Sequence, residues 1–188
     1  MLDTNKLRLA LKNHVADGGS HSYVFDDSDL KNMAFNATVF EARMGSLGRV
    51  EDVAVFSDLG LGFSDDATAH ENVTLQAAAL NISADRIPAV ANQVAQNVGV
   101  AKDLFVDSSS LKALLGFRTH LLQTGTVCLI KDFPVVVDKF RQIDTSSEFL
   151  KKLQEFRTVI SFVDDVDLAR AIGSSLYKFG AGGVISAI

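Results

Sequence analysis

The side chains best equipped for acid–base, nucleophilic or metal chemistry are four histidines, one cysteine and three short runs of carboxylates. His14, His21, His70 and His120 fall in four different candidate elements. None stands at i, i+4 from another or beside a cysteine, the spacings that close on zinc, so no metal site is expected. His70-Glu71 opens a metallohydrolase-type motif, but the second histidine would fall at position 74, which is Thr74. The runs Asp26-Asp27-Ser28-Asp29 and Asp164-Asp165-Val166-Asp167 stand where helices begin. There, carboxylates cap free N–H groups and oppose the positive end of the helix dipole. Asp65-Asp66 lacks the spaced oxygens and glycine of a calcium loop.

Nucleophilic and nucleotide chemistry find no motif either. Gly45-Ser46-Leu47-Gly48 is one residue too short for the G-x-S-x-G turn that presents a serine above a sheet. No G-x-x-x-x-G-K-[ST] phosphate loop and no placed G-x-G-x-x-G occurs. Gly60-Leu61-Gly62-Phe63 matches the carboxylate-binding loop signature of PDZ domains, but Ser64-Asp65-Asp66 follows where that loop needs a strand, so it reads as a hairpin glycine pair. Cys128 lies in the apolar run Thr126 to Ile130 and reads as a buried small hydrophobe. The sequence therefore predicts no catalytic residue, no cofactor site and no enzyme.

The elements that would position these residues are mostly helical. Leu7, Leu11 and Val15 predict a first helix ending at Gly18-Gly19, with a turn-rich stretch after it. Leu30, Met33, Ala34, Ala37, Phe40 and Met44 predict the buried stripe of a second helix. Val53 and Val55, then Leu59, Leu61 and Phe63, alternate as a strand pair or hairpin. Helices are expected over Val73 to Ile82, over Ile87 to Val98 with Pro88 in the first turn, and from Leu111 to Leu122. Thr126 to Ile130 and Pro134 to Val137 read as strands. Thr145-Ser146-Ser147-Glu148 is a capping box for a helix burying Phe149, Leu153, Phe156 and Ile160. A last helix from Asp164 or Asp165 would bury Leu168, Ile172, Leu176 and Phe179. The expected architecture is α+β: a predominantly helical single domain over residues 1–179 with a small sheet or hairpin, then an apolar C-terminal tail over 180–188.

A net charge of −5 without a basic stripe argues against direct nucleic-acid binding. No apolar run reaches the roughly 20 residues that span a bilayer, and the start lacks a secretory pattern. The expected location is the cytoplasm, or a virion assembled in the host cytoplasm. Two features point to contacts with protein. Asn92, Gln93, Gln96 and Asn97 form an uncharged amide face, and the tail carrying Val184, Ile185 and Ile188 ends apolar and could extend onto a neighbour or tuck back onto its own core. Together they predict a self-assembling structural subunit of a larger particle, such as a head, neck or tail protein of a tailed bacteriophage. Its partners would be copies of itself or other structural proteins, with no membrane and no small-molecule ligand. A cytoplasmic protein-binding adaptor or regulatory module is the alternative, and an enzyme whose site forms only in three dimensions is the third.

Overall fold

The structure is a computed structural model that describes residues 3–49, 52–57, 62–131, 146–171, 175–179 and 185–188. Its centre is one sheet of six strands: β1 (Gly19–Val24), β2 (Val53–Phe56), β3 (Val127–Lys131), β4 (Thr158–Val163), β5 (Ser175–Phe179) and β6 (Ile185–Ala187). The spatial order is β2-β3-β4-β1-β5-β6, parallel throughout except for β6, which runs antiparallel to β5. Parallel strands covered on both faces are apolar without a break. That is the pattern of Val53-Ala54-Val55-Phe56 and of Val127-Cys128-Leu129-Ile130, where Cys128 is fully buried.

Helices α1 (Thr4–Asp17) and α2 (Ser28–Arg43) cover one face. Their Leu7, Leu11, Ala34 and Phe35 meet Tyr23, Phe25, Leu129, Ile160 and Phe162. The opposite face receives α5 (Ser109–Leu121), α6 (Ser146–Leu153) and α7 (Val166–Ala171) through Phe117, Phe149 and Ala169, which pack on Val24, Phe56, Cys128 and Ile130. A third core joins α3 (Ala69–Ala79), α4 (Ile87–Val98) and α5 through Val73, Val90, Val94 and Leu115. The result is a three-layer α/β domain and not the predicted helical α+β domain with a small sheet.

Each correction has a local cause. The stretch predicted as a turn is β1, because paired neighbours on both sides outweigh its Ser, His and Gly content. Phe156 and Ile160 were expected on one helix, but α6 stops at Leu153 and Ile160 lies in β4. Leu176 and Phe179 are buried as expected, yet on strand β5. Val53 and Val55 pair in parallel with β3, not in a hairpin; the partner positions Leu59 and Leu61 lie outside the described residues, as do Pro134 to Val137, Thr145 and Ile172. On α2 the buried residues are Lys31, Ala34, Phe35, Thr38 and Ala42, while Met33, Phe40 and Met44 of the predicted stripe are exposed.

The edge strand β2 is finished by a side chain. The buried Gln123 amide donates to the Val55 carbonyl at 2.9 Å and accepts the Val55 N–H at 2.8 Å, as another strand would. Gln123 is brought there by the turn into β3, where Gly125 has φ +152°. A Cβ at position 125 would lie 2.4 Å from the Asp52 carbonyl oxygen, which is backbone and cannot swing aside. Gly125→Ala is therefore expected to destabilise by more than about 2 kcal/mol, read as a lowered urea midpoint; an unchanged midpoint would contradict this packing.

Candidate functional site

In open α/β sheets ligands bind outside the carboxyl ends of the strands, at the point where successive connections leave in opposite directions. Here β1 leads through α2 to β2, three places to one side, and β4 leads through α7 to β5 on the other side of β1. The switch point lies between the carboxyl ends of β1 and β4.

Three side chains meet there. Lys31, at the end of the first turn of α2, is only 5% exposed, and its Nζ donates to Asp164 Oδ2 at 2.6 Å. The Ser28 hydroxyl donates to the same oxygen at 3.0 Å. Burial of the Asp164 carboxyl raises its pKa, but the hydrogen bonds from Lys31 and Ser28 outweigh this and hold it below the ordinary carboxylate value. Beside them, Lys178 of β5 pairs with Asp26 at 2.8 Å. Lys31 is buried because it shares the inward stripe with Ala34, Phe35, Thr38 and Ala42.

The link between β1 and α2 is Phe25-Asp26-Asp27, without a glycine. The Asp27 carboxylate takes the N–H groups of Asp29 and Leu30 at 2.8 and 3.2 Å. A backbone cradle for phosphates is therefore not formed, and an anion arriving here would face Asp26, Asp27 and Asp29. What fits a phosphate is the amine of Lys31; what does not fit is the loop.

The histidines, scattered in sequence, are partly gathered in space. His14 from the last turn of α1 and His21 from β1 lie with ring centroids 4.1 Å apart, beside Tyr23 and Tyr177. His120 donates its Nδ1–H to the Gly116 carbonyl, 2.8 Å away, inside the core. Glu71, the acid of the incomplete metallohydrolase motif, accepts from the Thr68 N–H and hydroxyl at 2.9 and 2.8 Å, closing a capping box. Burial pushes the Cys128 thiol well above its ordinary pKa, which leaves it unreactive.

The predicted contact residues are not brought together. Gln93, Gln96 and Asn97 are exposed on α4, and Asn92 is half-buried there. Ile185 pairs in β6 at the far edge of the sheet, Ile188 donates its N–H to Leu176, and Val184 lies outside the described residues. The last strand thus pairs with the chain's own β5. A cavity of about 590 Å³ opens at the amino ends of β2 and β3, lined among others by Asn81, Ser83, Arg86 and Thr124. Arg86 already donates to the Thr124 hydroxyl at 3.0 Å.

Sequence reasoning missed Lys31 and Asp164 as a pair. The signal that could have found them is a lysine in the first turn of a helix that directly follows a strand, but β1 itself was read as a turn.

This fold has counterparts among solved structures, and the three described next are ABC transporter cassettes. The chain is similar to cbiO1 from Clostridium perfringens, part of the ABC transporter complex cbiONQ, with a TM-score of 0.50 and 13% identity over 86% of this chain and 73% of that one. It is also similar to the dimeric bacterial ABC transporter cassette MJ0796, with a TM-score of 0.51 and 13% identity over 84% of this chain and 79% of that one. A post-hydrolysis state of the same cassette, bound to ADP and Pi, gives a TM-score of 0.53 and 12% identity over 89% and 84%. No family model and no curated protein matches the sequence.

At this identity the likeness is one of fold, and it corrects the functional expectations. A bacteriophage structural subunit that is no enzyme is overturned, because the folds matched are transporter cassettes, one of them caught after hydrolysis. The partners expected with it, copies of itself or structural proteins without membrane or small-molecule ligand, are overturned by the same likeness, since these cassettes belong to transporters and one holds ADP and Pi.

Two outcomes test the electrostatics. In a double-mutant cycle of Lys31→Met and Asp164→Asn, the coupling at pH 7 is expected to be about 1 kcal/mol, because Asp164 remains 44% exposed. A depressed carboxyl stabilises above its unfolded pKa, so the coupling should disappear as pH falls through the folded value. His14 supplies the second. Burial, reinforced by the neighbouring His21, lowers its pKa from 6.5 to about 4. The unfolded imidazole then binds a proton before the folded one does, so stability falls as pH drops from 6.5 toward 4. With a chelator present, His14→Phe should flatten that slope by on the order of 1–2 kcal/mol in chemical denaturation; an unchanged slope would assign it to other groups.

Proposed function

We propose that this chain is a nucleotide-binding component of a larger, transporter-type assembly, and that Lys31 reads the phosphate charge of the nucleotide at the switch point. One observation carries the reading: a nearly buried amine stands in the first turn of the helix after the central strand, bonded to the carboxylate that follows the neighbouring strand. The cassette fold supports it from outside, since one cassette of that fold holds ADP and Pi.

The local chemistry sets the character of the binding. In the absence of a glycine loop, the recognition rests on a charge-assisted hydrogen bond from Lys31 in competition with Asp164. Asp26, Asp27 and Asp29 oppose an uncompensated triphosphate, so binding is expected to be weak without a divalent cation. On the same likeness we propose that the bound nucleotide is turned over, and that a membrane component of the assembly receives the result.

The test is calorimetric titration of the full chain with ATP and with ADP, with and without magnesium, alongside phosphate release. Saturable binding is expected, weakened about tenfold or more in Lys31→Met, the equivalent of losing about 1.4 kcal/mol. Asp164→Asn should strengthen binding of the free nucleotide by releasing the amine. A folded wild-type chain that binds neither nucleotide would overturn the proposal.

A further inference from the structure

The face of the sheet under α1 holds a polar cluster that the nucleotide reading does not use. Alternation along β1 sends His21, Tyr23 and Phe25 to one face. Register places Tyr23 opposite Tyr177 of β5, and α1 lowers His14 onto the same spot. His14 and His21 are each 7% exposed and Tyr23 is fully buried. A core would ordinarily satisfy such groups. Yet Nδ1 of His14, Nδ1 of His21 and the hydroxyl of Tyr23 are all buried with no hydrogen-bond partner among the described residues.

The tautomer of His21 follows from its other nitrogen. Nε2 lies 2.9 Å from the Gly18 carbonyl oxygen, which can only accept, so Nε2 carries a proton, and in the neutral tautomer this selects Nδ1 holds the lone pair. A backbone carbonyl holding the far N–H of an imidazole is the usual support of a metal-ligating histidine. Gly18 and Gly19, at φ +77° and +93°, make the sharp turn from α1 into β1 that brings this carbonyl and both rings together. The rings stand nearly perpendicular, at 79°, with centroids 4.1 Å apart.

We propose that His14, His21 and Tyr23 form a binding site for one late first-row divalent metal ion of the zinc, nickel or copper class, with a fourth position open toward solvent. The two imidazole nitrogens are ligands these borderline ions prefer over the all-oxygen sets of magnesium or calcium, and the Tyr23 phenol, held toward its protonated form by burial and by Tyr177, adds a neutral oxygen. His14 is held neutral by its surroundings, the protonation state a ligand needs. Of the three ligands, His14 lines a cavity of about 350 Å³ with Lys6, Asn13, Tyr177 and Ile185, the side from which an ion would enter. This site is separate from the switch point, and it stands or falls independently of nucleotide binding.

The experiment uses the full chain stripped with a chelator and titrated with cobalt(II), followed by visible absorption, then with zinc(II) in competition. Expected is one equivalent of cobalt with ligand-field bands, displaced by zinc. His14→Gln and His21→Gln should each abolish the bands while leaving the far-ultraviolet dichroism intact, Tyr23→Phe should weaken binding about tenfold, and His70→Gln should change nothing. Because a core histidine variant can fail to fold, the wild type is also read directly. Long-range nitrogen–proton spectra should show the Nδ1 resonances of both rings moving on addition of zinc. Unmoved Nδ1 resonances, binding that survives both histidine variants, or only non-stoichiometric uptake at millimolar metal would each overturn the site.

Discussion

Everything in this molecule is referred to the central strand β1, hydrogen-bonded to β4 on one side and β5 on the other. Buried between two strands, it has no solvent to satisfy its backbone, so its register is fixed on both edges. Its own side chains add to this: Ser22 shares a 2.6 Å hydrogen bond with Ser161 of β4. The carboxyl end of β1 defines the switch point with Asp164, and its inward face carries the histidine and tyrosine cluster. Both sites follow from one strand.

The turn that feeds β1 matters as much. The Gly19 N–H donates to the Arg157 carbonyl at 2.9 Å, and the Arg157 guanidinium donates to the Ala16 carbonyl at the end of α1 at 2.7 Å. The entry of β4 is thereby tied to the exit of α1. Gly18 and Gly19 stand at φ +77° and +93°, so the two glycines are needed for their backbone angles.

Electrostatically the molecule places its best-shielded amine where its fold class places phosphates, yet surrounds it with aspartates. The Asp27 side chain occupies N–H groups that a phosphate would otherwise meet. The fold is similar to that of the ATP-binding cassettes, while the loop after β1 has no glycine and its Asp27 carboxylate takes two of the N–H groups that follow.

Read alone, the residues determined those elements whose signal is local. The helices at Thr4–Asp17, Ile87–Val98 and Ser109–Leu121 carry their own apolar stripes and stops, and Val127–Lys131 its own apolar run. The capping role of the aspartates at the start of α2 was legible for the same reason, since a cap interacts with the next three residues only. Pairing decided the rest. Gly19–Val24 reads as a turn until β4 and β5 bond it, and Phe156 and Ile160 mimic a continuing helix until β4 claims Ile160. Nothing local marks Lys31, which α2 turns inward, and His14, His21, Tyr23 and Tyr177 meet only because parallel register superposes strands far apart in the chain. Local periodicity carries no information about such partners; the sheet does.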